Sequence, residues 1–190
     1  MSRPEIFVSI DIETDGPAPG VNSMLALGAV AYDEHETELD TWYFTFDPLP
    51  DASQNPDTMA WWATQPEAWA EVNSSRWDPE VAIPLFVQWC ESLPGKPVAV
   101  AFPDAFDFAF VNYYCWRFAG RNPLGFDALD ICSYASGLAG HPGLLPGKRV
   151  RAMAETARPS LLHVAVDDAI EQGRLFLALR RHALSRMEKA

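Results

Sequence analysis

The sequence predicts an α/β fold, a mixed five-stranded sheet flanked by helices, and three observations carry the prediction. Residues 6–46 read as three strands joined by short connections, an antiparallel meander. Val98-Ala99-Val100-Ala101-Phe102 is a short continuous apolar run, the pattern of a buried central strand. Segments with helical spacing of apolar residues follow and alternate with the strands, and the longest runs from about Val164 to Met187.

In the first strand, Val8, Ile10 and Ile12 share one face, and Ser9, Asp11 and Glu13 share the other. Acids are depleted in strands, and two carboxylates at i and i+2 repel unless a proton or a cation lies between them. A solvated strand face ending in a loop is the ordinary explanation for such a pair. Asp15–Gly20 is a turn-rich connector. Met24–Tyr32 is the second strand, where Gly28 marks close packing or a bulge. After a turn at Glu34–Glu36, Leu39–Phe46 is the third.

Asn55-Pro56-Asp57 starts a helix, with Asn as cap and Pro in the first turn. That helix carries Met59, Trp61 and Trp62. Adjacent helical residues lie about 100° apart, so both indoles cannot face one core. One of them is expected to be partly exposed or to line a cleft, offering a stacking surface for a base. The alternative wedges both between packed elements. Pro66 ends this helix and starts another, bearing Trp69. Pro84–Leu93 is a helix with Phe86, Trp89 and Leu93 on one stripe. After the central strand, Pro103–Asp107 leads into an aromatic-rich helix ending near Ala119. Phe126–Ile131 is a short fifth strand, Ser133–Leu138 a short helix, and residues 140–151 an exposed loop. With no internal repeat or low-complexity linker, residues 1–190 are expected to form one domain.

The net charge of −12 argues against broad electrostatic affinity for nucleic acid. Bound divalent cations reverse the local field at an acidic site, so short or single-stranded ends remain suitable ligands for such a chain. No apolar run is long enough to span a bilayer, and the N-terminus lacks a signal-peptide layout. Cys90, Cys115 and Cys132 stand far apart in apolar surroundings, without metal-type spacing. These features lead to the expectation of a cytoplasmic protein with reduced thiols and no membrane partner.

Five residues stand out as carriers of chemistry: Asp11, Glu13, Asp107, His163 and Asp168. Asp107 lies beyond the C-terminal end of the central strand, where open α/β sheets place ligands; alone it would read as a helix cap. Asp167 and Asp168 suit the positive end of the last helix's dipole, and His163 just precedes that helix. Each has an ordinary structural explanation, so the argument rests on the set.

The set resembles the DEDDh family of 3′–5′ exonucleases, within the ribonuclease H-like superfamily. The family's first motif matches Asp11-Ile12-Glu13-Thr14, its second resembles Phe106-Asp107-Phe108-Ala109-Phe110, and its third is present in full as His163-Val164-Ala165-Val166-Asp167-Asp168-Ala169. The resemblance spans about residues 6–180. The chain departs from many members at Pro103-Asp104-Ala105, where they carry Asn or Gly. Met59–Gln65 is similar to a bacterial and phage branch that includes exoribonucleases and single-strand DNA exonucleases.

The resemblance implies hydrolysis at the 3′ ends of single-stranded RNA or DNA, with release of nucleoside 5′-monophosphates. On the branch likeness RNA is favoured, although no partner for a 2′-hydroxyl stands out. The implied cofactors are two Mg²⁺ or Mn²⁺ ions roughly 4 Å apart, which accounts for four acids and no cysteine or histidine ligand cluster. Asp11 would bridge both ions, Glu13 and Asp168 would complete the first site, and Asp107 would support the second. His163 would be the general base. Main-chain amides near Thr14 would hold the terminal 3′-hydroxyl, and Met24 or Leu25 would wedge beside the last base. A catalytically silent nucleic-acid-binding or scaffold protein of the same fold, and a phosphodiesterase acting on a small dinucleotide, are the competing readings. The 140–151 loop and the Trp-rich segment would serve as a substrate rim or as the contact of a homodimer.

Overall fold

A computed structural model of the protein describes residues 3–156 and 163–188. The first acid-bearing strand, β1 (Glu5–Thr14), is central: it pairs antiparallel with β2 (Met24–Tyr32) and parallel with β5 (Lys96–Ala101). β2 continues the meander to β3 (Glu38–Phe46), and β6 (Ala128–Asp130) lies parallel beyond β5. The sheet has six strands, not the five expected, in the order β4-β3-β2-β1-β5-β6. The extra strand, β4 (Arg76–Trp77), pairs with β3 at Thr45 and Phe46. Two residues are too few to show alternation, so sequence patterning has nothing to detect there.

Helices cover both faces. α3 (Pro79–Ser92) and α4 (Asp104–Ala119) lie on the side to which Val8, Ile10 and Ile12 point, where Phe86, Phe110 and Tyr114 meet them in one core. α5 (Ile131–Leu138), α6 (Gly147–Met153) and α7 (Ala165–Met187) lie on the opposite side with Phe7, Val30 and Val100. α1 (Pro56–Trp62) and α2 (Pro66–Val72) close one end around Leu25 and Trp62. The face of β1 that carries Ser9, Asp11 and Glu13 therefore lies under helices, and the solvated-strand explanation fails: Ser9 and Glu13 are buried.

Two helix boundaries differ from the sequence reading. α3 begins at Pro79, with Asp78 capping it by accepting the Glu80 amide at 2.8 Å, and Pro84 lies inside it. A capped Asp-Pro start followed by a buried stripe of Ala82, Ile83, Phe86, Val87 and Cys90 outweighs the one hydrogen bond that Pro84 cannot donate. Residues 140–151 are not all loop, because α6 occupies Gly147–Met153. A single buried Val150 anchors that helix among basic residues whose composition resembles a loop. The three cysteines are free and buried. Among the described residues, no helix is long and apolar enough to cross a membrane.

Candidate metal and hydrolytic site

The site forms where α7 meets the middle of the sheet. Asp11 on β1 pairs with Gly28 on β2, and Gly28 pairs with Tyr43 on β3, so the three share a row on the α7 face. A Cβ at Gly28 would lie 2.3 Å from the backbone of Ala165 and Val166. The close packing expected at this glycine is thus what seats the first turn of α7 directly on the sheet. Gly173, two turns later, makes a similar approach, since a Cβ there would lie 2.5 Å from the Tyr32 ring and 3.1 Å from Ser9. This seating turns Asp168 inward, where it is buried, and leaves Asp167 exposed. The dipole explanation covers Asp167 alone.

Asp107 arrives from the other layer. It lies in the first turn of α4, and its Oδ1 accepts the Ile12 amide at 3.3 Å. β5 ends at Ala101, and its pairing with β1 stops at Ser9 and Val100. The amide between Asp11 and Glu13 is therefore bonded to a carboxylate, not to a neighbouring strand. Asp107 acts as a bracket on the acidic end of β1 and not as the cap of its own helix.

His163 has φ 53°, in the left-handed region uncommon for residues with a side chain. The chain turns sharply there to enter α7. Glu13, His163 and Asp168 offer ligand atoms that all lie within 4.8 Å of one another. Trp61 meets the His163 ring edge-on, with centroids 4.9 Å apart and planes at 84°. Its own neighbour Trp62 is buried, and the Trp62 indole donates to the Thr14 carbonyl at 2.9 Å. The Asn55 amide donates to the Asp15 carbonyl at 2.8 Å. Those two bonds fasten α1 to the end of β1. The expectation that one indole would be exposed holds, since Trp61 is 40% exposed.

Main-chain amides near Thr14 were expected to hold the 3′-hydroxyl, and the side chain of Met24 or Leu25 to wedge beside the last base. All three residues are buried, Met24 and Leu25 fully so. Met24 is held from both sides by Tyr114, whose hydroxyl accepts the Met24 amide at 2.7 Å and donates to its carbonyl at 3.4 Å. Leu25 packs with Trp62. Neither forms a wedge at a surface in this arrangement, because β2 is covered on both faces.

Sequence reasoning missed Gln172. Its Nε2 donates to Asp11 Oδ1 at 2.5 Å, and its Oε1 is buried without a hydrogen-bond partner among the described residues. The signal was present: Gln172 follows Asp168 by one helical turn, as a polar residue on an otherwise apolar stripe.

Electrostatics follow from this crowding. Burial, then repulsion from Asp107, Glu13 and Asp168, hold the Asp11 carboxyl well above the ordinary range, against the opposing Gln172 bond. Burial and repulsion from Asp168 and Asp107 do the same to Glu13. Burial pushes Asp107 up to about 8, despite the bond from Ile12. An oxygen-only set of carboxylates that cannot all ionise fits a hard divalent cation, and Asp11, Glu13, Asp107 and Asp168 would hold it. A pH dependence follows. The Asp107 carboxyl, raised above the unfolded value of ~4, stabilises the metal-free protein at low pH, and this contribution is lost as pH rises through about 8; Asp11 and Glu13 act in the same direction. Cation binding needs the ionised forms. The gain in Tm on adding Mg²⁺ should therefore grow from pH 6 to pH 9 in scanning calorimetry; a gain that stays flat would remove these acids from metal binding.

No family model matches the chain. A curated relative, the 3′–5′ DNA exonuclease Cap18 of Escherichia coli, is 32% identical over 179 residues, covering 90% of each chain. Exonuclease I of E. coli in complex with a dT13 oligonucleotide superposes with a TM-score of 0.71 at 16% identity, over 97% of this chain and 43% of that one. The nuclease domain of 3′hExo, a DEDDh family member bound to rAMP, superposes with a TM-score of 0.65 at 13% identity, over 93% of this chain and 91% of that one.

Proposed function

The chain belongs to the DEDDh family of 3′–5′ exonucleases, and from that premise we propose that it shortens single-stranded DNA from the 3′ end, releasing nucleoside 5′-monophosphates. The observation that supports the reading is that Glu13, His163 and Asp168 offer ligand atoms within 4.8 Å of one another, with Asp11 and Asp107 near enough for their charges to repel. DNA is chosen over RNA because the relative that shares 32% of its residues with this chain is named as a DNA exonuclease, a stronger likeness than the Met59–Gln65 stretch that favours RNA.

Divalent cations, when bound, would supply positive charge to polarise the scissile phosphate and acidify water. The residues do the rest. Asp11, Glu13, Asp107 and Asp168 would hold that charge, with Gln172 fixing the orientation of Asp11. His163 takes a proton from water as the water oxygen attacks phosphorus. The bond from phosphorus to the 3′-oxygen of the preceding nucleotide breaks, and that oxygen regains a proton. Trp61 packs beside the imidazole and restricts its rotation. Its exposed part remains free to meet the terminal base.

The test uses matched 5′-labelled DNA and RNA strands with Mg²⁺, with Mn²⁺ and with chelator. A ladder shortening from the 3′ end of DNA, with metal only, is expected. A faster RNA ladder would reassign the sugar preference, and no ladder on either strand would refute the exonuclease reading.

A further inference from the structure

The side of the site opposite Trp61 has received no role so far. The parallel register Ser9–Val100 carries β1 to Asp11 in the same two steps that carry the chain past β5 to Phe102. Phe102 thus leaves the sheet one strand away from Asp11. It packs on the α7 side, against the core that contains Val100 and Phe176. Together with Gly147, Lys148, Arg151, Ala152 and Thr156 it bounds a cavity of about 610 Å³, a volume suited to a small-molecule-sized group. Arg151, on the wall of this cavity, is paired with Glu171, three residues beyond Asp168 on α7.

The wall of this cavity carries two basic residues, Lys148 and Arg151. Acids outnumber basic residues by 26 to 14. Arg117, Arg121, Arg151, Arg174 and Arg181 are each paired with a carboxylate. Lys148 is exposed and has no carboxylate partner among the described residues. An uncommitted ammonium, a guanidinium and a half-buried phenyl ring around one cavity match the parts of a nucleotide, phosphate and base.

We propose that this cavity is the subsite for the nucleotide immediately 5′ to the scissile phosphate, with Lys148 reaching its phosphate and Phe102 lying against its base. The proposal rests on the exonuclease reading and extends it. The terminal nucleoside brings only the scissile phosphate, which must lie at Asp11, Glu13, Asp107 and Asp168. A cation set apart from those acids acts only on a substrate that carries a second phosphate. The strand then lies across the site, its 3′ terminus on the Trp61 side and its upstream part on the Phe102 side.

The test compares two substrates in Mg²⁺. The p-nitrophenyl ester of thymidine 5′-monophosphate contains a cleavable diester and no upstream nucleotide; a dT octamer contains both. In Lys148→Gln, the ratio of kcat/KM for octamer over ester should fall about tenfold, the size of one charged hydrogen bond. Lys148→Arg should restore it, and Phe102→Leu should lower it in the same sense. The salt slope for the octamer should become shallower by roughly 0.7 in Lys148→Gln, as for one lost phosphate contact on a single strand. A ratio within twofold of the parent, or equal losses on both substrates, would overturn the subsite. Anisotropy of a fluorescent octamer in Ca²⁺ reads the subsite without turnover. A parent protein that binds but cleaves neither substrate would refute the exonuclease reading alone, and the subsite then stands or falls on the same tenfold loss in affinity. A parent that neither binds nor cleaves would overturn both.

Discussion

Asp11→Asn should lower metal-dependent cleavage of a 5′-labelled oligonucleotide by on the order of 10³-fold or more. Cations at such sites supply several kcal/mol of transition-state stabilisation, and each ~1.36 kcal/mol is a factor of ten. Asparagine is the informative replacement because it keeps the acceptor for Gln172 Nε2 and removes only the charge. Alanine would also strand that buried amide, adding a cost of about 1–3 kcal/mol unrelated to chemistry. Asp11 sits among Asp107, Glu13 and Asp168, all of which repel its ionised form. Without metal, then, the variant should melt no lower than the parent at pH 8, and it should lose the Tm gain that Mg²⁺ gives the parent. Full activity in Asp11→Asn would show that the acids on β1 are not the metal site.

His163→Ala should retain the Mg²⁺ dependence and cleave about 10²–10⁴-fold more slowly in single-turnover kinetics, the size of a general-base contribution. The backbone there complicates the measurement, since φ is 53° and alanine carries the same strain as histidine. His163→Gly separates the two effects. Glycine adopts that conformation freely, so it should be at least as stable as His163→Ala and equally slow. If glycine restored the rate, the role of His163 would lie in the chain's path into α7 and not in proton transfer.

Asp11, Glu13, Asp107, His163 and Asp168 were legible as a set and not one by one: only the acid pair on a strand was out of place by itself, and the motif order Asp11-x-Glu13, Asp107, His163 to Asp168 supplied the rest. Helical geometry predicted that one of the two adjacent indoles would be exposed without saying which; the structure buries Trp62 and leaves Trp61 at the rim. The depth of Met24 and Leu25 was legible in the continuous apolar run Met24–Tyr32, which marks a strand covered on both faces, but the wedge expected there came from the family likeness instead. β4 and α6 were hidden by shortness. Gln172 escaped notice because its role exists only across the interface between the first strand and the last helix. The three-dimensional bracket at Ile12 and Asp107 has the same origin.

That interface sets the order in which the protein comes into being. The bond from Gln172 to Asp11 joins residues 161 positions apart. During synthesis at roughly 5–20 residues per second, Asp11, Glu13 and Asp107 leave the ribosome well before His163, Asp168 and Gln172. Until α7 settles on Gly28 there is neither a fourth acid nor an imidazole. The site is thus completed last, by the element that seats on Gly28.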